Sequence, residues 1–411
     1  INGAVHVVRD MGTVAFVILR KREGLLQCVY EKETAEFDIK TIKEAATLEV
    51  TGVLKQNEKA PNGIEITMQK VEILSEPEAE MMPLAISKWK LNTSLEAKLN
   101  YRSIALRNIR ERAKFRIQEG LTRAFRDFLY SQEFTEIHTP KIGAKGAEGG
   151  ANIFKLEYFH RPAVLAQSPQ FYKQMMVGVF DRVFETAPVF RAEKHNTKRH
   201  LNEYTSLDFE MGYIDGFEDI MAMETGYLQY AMELLQKEYA KELKILGVEL
   251  PDVSRIPTVR FHDIKEIVSE KYGHKMHNPF DLEPEEEQLI GKYAKEEWGS
   301  DFVFVTHYPS KKRPFYAMDD PEDSKYTLSF DLLFKGLEIT TGGQRIHDYQ
   351  KLMEKIEARG METDGMDQYL ATFRHGMPPH GGIGIGLERL TMQLIGEDNV
   401  RETTLFPRDL S

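Results

Sequence analysis

The chain has 411 residues, 54 Lys+Arg against 65 Asp+Glu for a formal net charge of -11, with 41% hydrophobic and 29% charged residues. This is an ordinary globular composition, long enough for two or three domains. No run of about 18 apolar residues marks a membrane span. The single cysteine, Cys28, excludes a disulfide framework and a cysteine-rich zinc site, and it fits a reducing, cytoplasmic setting. The acidic balance argues against generic coating of nucleic acid, though not against a localised RNA contact.

The opening INGAVHVVRD carries no signal pattern and already reads as strand, so a few residues are expected to precede it. Three short strands broken at Met11-Gly12 and Glu23-Gly24, then β-rich stretches at 48–55 and 63–74, predict about five strands. Five strands in that length predict a small barrel, most commonly an OB-fold that grips single-stranded nucleic acid, although a barrel can also serve only as a spacer. The boundaries expected are 1–78 for the barrel, 79–100 for a polar linker and 101–411 for the remainder. Ile117, Leu121, Phe125 and Phe128 fall three or four apart, which predicts an amphipathic helix over 101–130. Its other faces carry Arg102, Arg107, Arg110, Arg112, Lys114, Arg116, Arg123 and Arg126, a run that is usually a solvated face and could also lie along a polyanion.

Beyond this, apolar strands alternate with helices near 216–243, 283–298 and 347–359. Strands joined by short turns favour an antiparallel sheet with helices packed on it, an α+β layer architecture. Three segments of this region carry candidate chemistry. FRAEKHNTKRHLNEYTSLDFEM places Arg191 and Glu193 before a basic loop with Lys194, His195, Lys198, Arg199 and His200, then Glu203, Tyr204 and Asp208 on a second strand. Arginine forks clamp phosphates and carboxylates hold an amine or a metal, so the hairpin suits a nucleoside triphosphate; alone, it is more often a salt-bridged surface. SFDLLFKGLEITTGGQRIHD places Asp331 and Glu338 seven apart, an odd spacing that needs a turn or bulge to bring them together, with Lys335-Gly336 as a candidate. Such oxygen ligands suit Mg²⁺ on phosphates, yet an isolated acidic pair is commonly just a strand end. GGIGIGLERL is a glycine-rich strand running into a helix with Arg389 in its first turn, and it matches neither a dinucleotide fingerprint nor a P-loop.

Taken in order, FTEIHTPKI with Pro140, the FRAE hairpin and GIGIGLERL resemble motifs 1, 2 and 3 of the class II aminoacyl-tRNA synthetases. The barrel before them resembles subclass IIb, whose members charge aspartate, asparagine or lysine. AQSPQFYKQMM, FRAEKHNTKRHLNE and LFPRD are similar to the archaeal-type aspartyl branch. The resemblance covers essentially the whole chain. It implies that Arg191 binds the ATP α-phosphate and the substrate carboxylate, and that Glu193 holds the adenine amine. Arg199 and His200 reach the outer phosphates, Tyr204 stacks on adenine, and Arg389 lies on its other side and contacts the γ-phosphate. Gly386 lies against ATP, and Asp331, Glu338 and Thr341 hold Mg²⁺; Thr341 stands where archaeal relatives often have Ser. Lys173 and Arg345 match the family's two cations for the β-carboxylate of L-aspartate. Ser168, Gln170 and Asp208 form the polar shell, with Glu148 at the α-ammonium. An unpaired buried charge costs several kcal/mol, so retaining both Lys173 and Asp208 points to aspartate rather than asparagine.

In the barrel, Arg9, Phe16 and Gln27 match the anticodon readers; without the resemblance, Phe16 reads as core. Relatives restricted to their own tRNA tend to carry Trp just after the first barrel glycine, where this chain has Ala4 before His6. With Pro83 in the linker, this points to an enzyme that aspartylates tRNA-Asn as well as tRNA-Asp, in a host that amidates the product. The implied reaction is adenylation of aspartate by ATP followed by transfer to the tRNA 3′ end, with no covalent enzyme nucleophile. A homodimer through motif 1 is expected. The rival readings are asparaginyl-tRNA synthetase, a tRNA-independent paralogue that makes asparagine, and a non-catalytic RNA-binding scaffold. The barrel speaks against the second. Arg191, Glu193, Glu338 and Arg389 speak against the third.

Overall fold

The computed structural model describes residues 1–143, 152–194 and 197–410. It divides into two compact units, Ile1–Arg112 and Ala113–Ser411. In the first, β1 (Asn2–Asp10), β2 (Val14–Lys21), β3 (Gly24–Glu31), β4 (Thr47–Gln56) and β5 (Ile64–Ser75) close into a barrel in the order β1-β2-β3-β5-β4. Alternation decides which residues fill it. Ala15, Val17 and Leu19 of β2 are buried with Val5, Cys28, Leu48 and Met68. Phe16 falls between them on the outer face and is only half-buried, so it is not the core residue it reads as without the resemblance. Burial pushes the Cys28 thiol up to about 12, which leaves it unreactive.

Residues after the barrel are not simply solvated, because Leu84, Ile86 and Leu91 bury against Ala105. The single helix expected over 101–130 is instead broken. Short helices α1 (Leu95–Asn100) and α2 (Arg102–Ala105) precede α3 (Ile109–Ser131). Asn108 makes the break: its Oδ1 accepts from the amides of Arg110 (2.9 Å) and Glu111 (3.2 Å), a side-chain cap that opens a new helix. Nor is the basic run a free stripe. Lys114 is buried between Glu397 (2.9 Å) and Glu402 (3.0 Å), Arg126 pairs with Glu136 (2.9 Å), and Arg123 pairs with Asp127 (3.2 Å) and Glu238. Lys114 is thus a buried structural cation, whereas Arg123 and Arg126 stay on a solvated face beside neutralising carboxylates.

The second unit is built on an eight-stranded sheet. Its strands are β6 (Thr135–Glu136), β10 (Arg182–Phe190), β11 (Glu203–Gly212), β12 (Thr258–Arg260), β13 (Phe302–Thr306), β14 (Ser329–Phe334), β15 (Leu337–Gln344) and β16 (His380–Gly386), in the spatial order β12-β13-β14-β15-β16-β11-β10-β6. Only the two edge pairs, β12 with β13 and β10 with β6, are parallel. A small sheet of β7 (Ile142–Gly143), β8 (Lys155–Tyr158) and β9 (Arg161–Leu165) stands beside it. The helices are α4 (Gln170–Phe180), α5 (Glu218–Glu238), α6 (Ala240–Leu246), α7 (Phe261–Tyr272), α8 (Pro284–Trp298), α9 (Tyr349–Ala358), α10 (Asp367–Arg374) and α11 (Leu387–Ile395). One face of the sheet, with Leu207, Phe209, Ile383 and Ile385, packs against apolar residues of α3, α5 and α11. The architecture is α+β, as expected. Among the described residues no helix is long and apolar enough to cross a membrane.

Candidate active site

The opposite face of the same strands carries the polar residues. Register sets Ser206 against Gly386, Asp208 against Gly384 and Glu210 against Gly382. Two of these glycines leave no room for a side chain: a Cβ at Gly382 would lie 2.1 Å from the Phe209 carbonyl and 2.2 Å from Glu210 Oε2, and one at Gly384 would crowd Asp208 Oδ1 at 3.2 Å. The alternation in GGIGIG therefore has two causes. Isoleucines face the core, and glycines clear a floor for carboxylates.

Those carboxylates hold two buried cations. Lys173 of α4, 2% exposed, donates from Nζ to Asp208 Oδ1 (2.9 Å) and the Ile383 carbonyl (2.8 Å), and stands 3.4 Å from Glu210 Oε2. Arg345 donates from Nε to Glu210 Oε1 (2.9 Å) and from Nη2 to the Gly382 carbonyl (3.0 Å). Burial pushes the Glu210 carboxyl up, but Arg345 and Lys173 outweigh it and hold it below the usual range. Glu210 was not singled out from sequence. The signal was there in DFEM, two residues past Asp208 on the same strand face. Behind α4, Tyr369 donates to Gln174 Oε1 (3.0 Å), Gln174 Nε2 to His380 Nε2 (3.0 Å), and His380 Nδ1 to the Pro378 carbonyl (2.9 Å). Burial lowers His380 to about 4, so the ring is neutral and this donor order is fixed.

These cations line a cleft of about 680 Å³ with Ser168, Gln170, Asp208, Asp331 and Thr341. The Gln170 amide nitrogen is buried there without a hydrogen bond. A second cavity adjoins it, lined by Glu193, Arg199, His200, Glu388 and Arg389. Arg191, Tyr204, Glu338, Thr341, Gly384 and Gly386 line both. The Arg191 guanidinium lies 5.9 Å from the Tyr204 ring centre. Asn202 ties the loop ends by donating to the carbonyls of Arg191 (2.8 Å) and Glu193 (3.0 Å). Arg389 donates to the carbonyls of Arg199 (3.0 Å) and Glu338 (3.1 Å), which joins the loop, strand β15 and helix α11. The Glu388 carboxylate accepts the Thr205 amide at 3.0 and 3.1 Å. Glu287 of α8, unread in the sequence, accepts Arg199 Nη2 at both oxygens (2.7 and 2.8 Å) and the Glu338 amide at 3.1 Å.

Asp331 and Glu338 converge as their odd spacing required. The turn at Lys335-Gly336 has positive φ at both residues, and a bulge follows between Glu338 and Thr340, so Asp331 pairs with Thr341 and Thr341 Oγ1 donates to Glu338 Oε1 (3.3 Å). Burial, with Glu338 adding, pushes Asp331 up to about 6. Burial also opposes ionisation of Glu338, but Arg389, Arg191, Arg313 and Arg199 together hold it low. Asp331 Oδ1 is buried without a hydrogen bond; the Arg313 guanidinium stands 2.8 Å away, out of alignment. Two carboxylates and a hydroxyl on one patch fit a hard divalent cation such as Mg²⁺. Arg313 was also missed. It lies over the Tyr308 ring (3.9 Å), and Arg359 secures its turn by donating to the Arg313 (2.7 Å) and Ser310 (2.8 Å) carbonyls.

Glu148 and His195 lie outside the described residues. On the barrel, Arg9 is opposite Phe16, and Gln27 shares their outer face, donating to Glu65 Oε2 (2.9 Å). Ala4 pairs with Arg20 and Thr47, and Pro83 is exposed. His6 is buried at an irregularity of β1, and burial with Arg20 and Arg112 lowers it to about 4. It is a neutral wall residue, not an exposed contact.

The pattern of the family described as tRNA synthetases class II (D, K and N) matches residues 94–410, and that of the OB-fold nucleic acid binding domain matches residues 1–74. The chain is 47% identical to an aspartate–tRNA(Asp/Asn) ligase of Deinococcus radiodurans, covering 100% of this chain and 94% of the relative. It is 40% identical to an aspartate–tRNA(Asp) ligase of Pyrococcus furiosus, again over 100% and 94%. Among solved structures, asparaginyl-tRNA synthetase from Pyrococcus horikoshii with asparaginyl-adenylate superposes with a TM-score of 0.92 at 29% identity, covering 100% and 94%. Aspartyl-tRNA synthetase from Entamoeba histolytica gives 0.88 at 32% identity, covering 100% and 88%.

Proposed function

The chain belongs to the class II tRNA synthetases of the aspartate, lysine and asparagine group, and from that premise we infer that it is an aspartate–tRNA ligase. It activates L-aspartate with ATP and transfers it to the 3′ end of tRNA. Fold likeness cannot choose the amino acid, since the asparaginyl structure superposes at least as well as the aspartyl one. Sequence identity favours aspartate. Asp208 and Glu210 already balance Lys173 and Arg345, so this buried network does not by itself separate a carboxylate from an amide. The observation that carries the reading is the full-length identity to aspartate–tRNA ligases, 47% and 40%, with Lys173 and Arg345 lining the cleft where a substrate carboxylate would sit.

In this reading the β-carboxylate of aspartate meets Lys173 and Arg345, which Asp208 and Glu210 hold in place. Arg191, shared by both cavities, meets the α-carboxylate and the ATP α-phosphate. Tyr204 and Arg389 enclose the adenine, Glu193 accepts its amine, and Arg199 and His200 meet the outer phosphates, while Gly386 lets the nucleotide approach the strand. Ser168, Gln170 and Glu148 complete the amino-acid shell. The α-carboxylate attacks the α-phosphorus, pyrophosphate leaves, and a terminal ribose hydroxyl of tRNA then attacks the mixed anhydride and releases AMP. The protein contributes position and charge neutralisation. Asp331, Glu338 and Thr341 would hold Mg²⁺, which neutralises charge on the phosphate oxygens.

We assign anticodon reading to 1–78, through Arg9, Phe16 and Gln27, a connecting role to 79–100 and the chemistry to 101–411. The enzyme works as a homodimer. Supporting this, Val179 and Tyr213 are 62% and 72% exposed, and the Gly212 amide bonds the Asp181 carbonyl between them in sequence, near the β10–β6 end of the sheet. A cytoplasmic setting follows from the substrate. We further infer that the enzyme charges both tRNA-Asp and tRNA-Asn. Small Ala4 on β1 lacks the ring that would reject one anticodon, and the relatives at 47% and 46% identity carry Asp/Asn names. The test is ATP–pyrophosphate exchange with aspartate against asparagine, then aspartylation of tRNA-Asp and tRNA-Asn transcripts side by side. Exchange driven by asparagine refutes the amino-acid assignment. A hundredfold deficit with tRNA-Asn, about 2.7 kcal/mol, refutes only the dual charging.

A further inference from the structure

We propose that His274, Glu283 and Glu286, with His277 in reach, form a site for a divalent transition metal of the zinc class, separate from the catalytic cleft. Helix α7 is capped at Gly273 in the left-handed conformation, and the chain runs from there to Glu283, the N-cap of α8. His274 Nε2 stands 3.9 Å from both Glu283 Oε2 and Glu286 Oε1. His277 Nδ1 stands 3.4 Å from Glu283 Oε2. Donors about 2.0–2.2 Å from a tetrahedral zinc lie roughly 3.4 Å apart; His274 Nε2 is within half an ångström of that separation from both carboxylates, and the His274, Glu283 and Glu286 donors all lie within 4.8 Å of one another.

Proximity alone would describe an imidazolium among carboxylates. Two further features point to a metal. The His274 side chain is only 8% exposed, and its Nε2 is buried without a hydrogen bond; Glu283 Oε2, facing it, is likewise buried and unbonded. Buried polar atoms in that state are rare, and a cation between them would satisfy both. The surroundings also orient the ligands as outer-shell groups do around a metal. Glu286 Oε2 accepts from Lys265 Nζ (2.8 Å) and the Glu283 amide (2.9 Å), which leaves Oε1 turned toward His274. Lys265 Nζ is itself fixed by the carbonyls of Asn278 (2.6 Å) and Asp281 (2.7 Å). Glu285 Oε1 stands 3.7 Å from His274 Nδ1, the side on which a carboxylate sets the tautomer of a metal-binding histidine. Glu283, Glu285 and Glu286 outnumber Lys265 in charge, so a divalent cation is electrostatically welcome despite the α8 N-terminus.

The metal would staple the end of α7 to the first turn of α8. The next residue of that turn is Glu287, which holds Arg199 and the Glu338 amide. A structural metal here would stiffen a support of the catalytic cleft without touching substrate.

The test uses the untagged full chain, stripped with a chelator and dialysed against limiting Zn²⁺ in excess Mg²⁺, so that Asp331 and Glu338 are occupied by the harder ion. One zinc per chain by elemental analysis is expected, together with a rise of several degrees in thermal midpoint. Co²⁺ in its place should give the strong visible absorption of a four-coordinate site. His274→Ala should lose all three signals. His262→Ala, at an exposed histidine 3.5 Å from Glu266, should keep them. If His274→Ala misfolds by circular dichroism, Glu283→Gln replaces it with the same expectation. No zinc in the parent chain overturns the proposal, and so does zinc retained at one equivalent after loss of the His274 or Glu283 ligand.

Discussion

Lys173→Met is the sharpest perturbation of the cleft, because a nearly isosteric side chain removes one charge from a buried network. The lysine is 2% exposed and satisfies Asp208 at 2.9 Å, with Glu210 at 3.4 Å. Removing one partner of a buried pair costs about 3–5 kcal/mol. Applied to the substrate carboxylate, the same range predicts a fall in kcat/KM for aspartate of roughly two to nearly four powers of ten. The KM for ATP should stay within about threefold, since Lys173 does not line the cavity with Arg199, His200 and Arg389. Part of the cost falls on the fold, where Asp208 loses its 2.9 Å partner and Glu210 keeps Arg345. A second variant, Lys173→Met with Asp208→Asn, removes one charge of each sign. It should recover most of the thermal midpoint without recovering activity. Aspartate- and ATP-dependent pyrophosphate exchange, measured with circular dichroism melts, separates the effects. Aspartate kcat/KM within tenfold of the parent in a folded Lys173→Met protein would refute the role given to this cation.

The outer face of the barrel is tested by Phe16→Ala: tRNA charging should weaken by about 1–3 kcal/mol, the value of one base stack, with pyrophosphate exchange unchanged. Equal loss in both steps would make Phe16 a folding residue. Sedimentation at micromolar concentration should show a dimer, and Tyr213→Glu should shift it toward monomer; a monomeric parent would contradict the assembly. Glu224 gives a pH test. It is fully buried, accepts Thr340 Oγ1 at 2.6 Å, and burial raises it to about 8. A folded-state value above the unfolded one means the acid form is favoured by folding, so this stability is complete below about pH 4.5 and is lost as pH rises through 8. Glu224→Gln should therefore melt higher than the parent at pH 9, with the gap closing toward pH 5; a gap independent of pH would show that the group does not titrate this way.

The sequence alone determined the local elements and the chemistry wherever a short-range pattern carries the information. Turn residues such as Glu23-Gly24 and the period of two gave the barrel strands, because hairpin geometry and side alternation are properties of neighbouring residues. Lys173, Asp208, Arg191 and Arg389 were legible because they sit in contiguous motifs. What the chain folds together from distant segments was not legible. Glu210 is a core-strand glutamate until β16 brings Gly382 beside it and β15 delivers Arg345. Glu287 reads as one of three glutamates in a helix's first turn until Arg199, 88 residues away, closes on it. The cations of α3 read as a solvated face until Glu238 meets Arg123 and Glu397 and Glu402 enclose Lys114 from other helices and loops. Phe16 shows the limit from the other side. Its hydrophobicity is local, but whether it faces the core or a ligand depends on barrel closure, which fixes Ala15, Val17 and Leu19 as the inner row. Propensity and period act over a few residues, whereas charge pairing and burial are settled only when the sheet assembles.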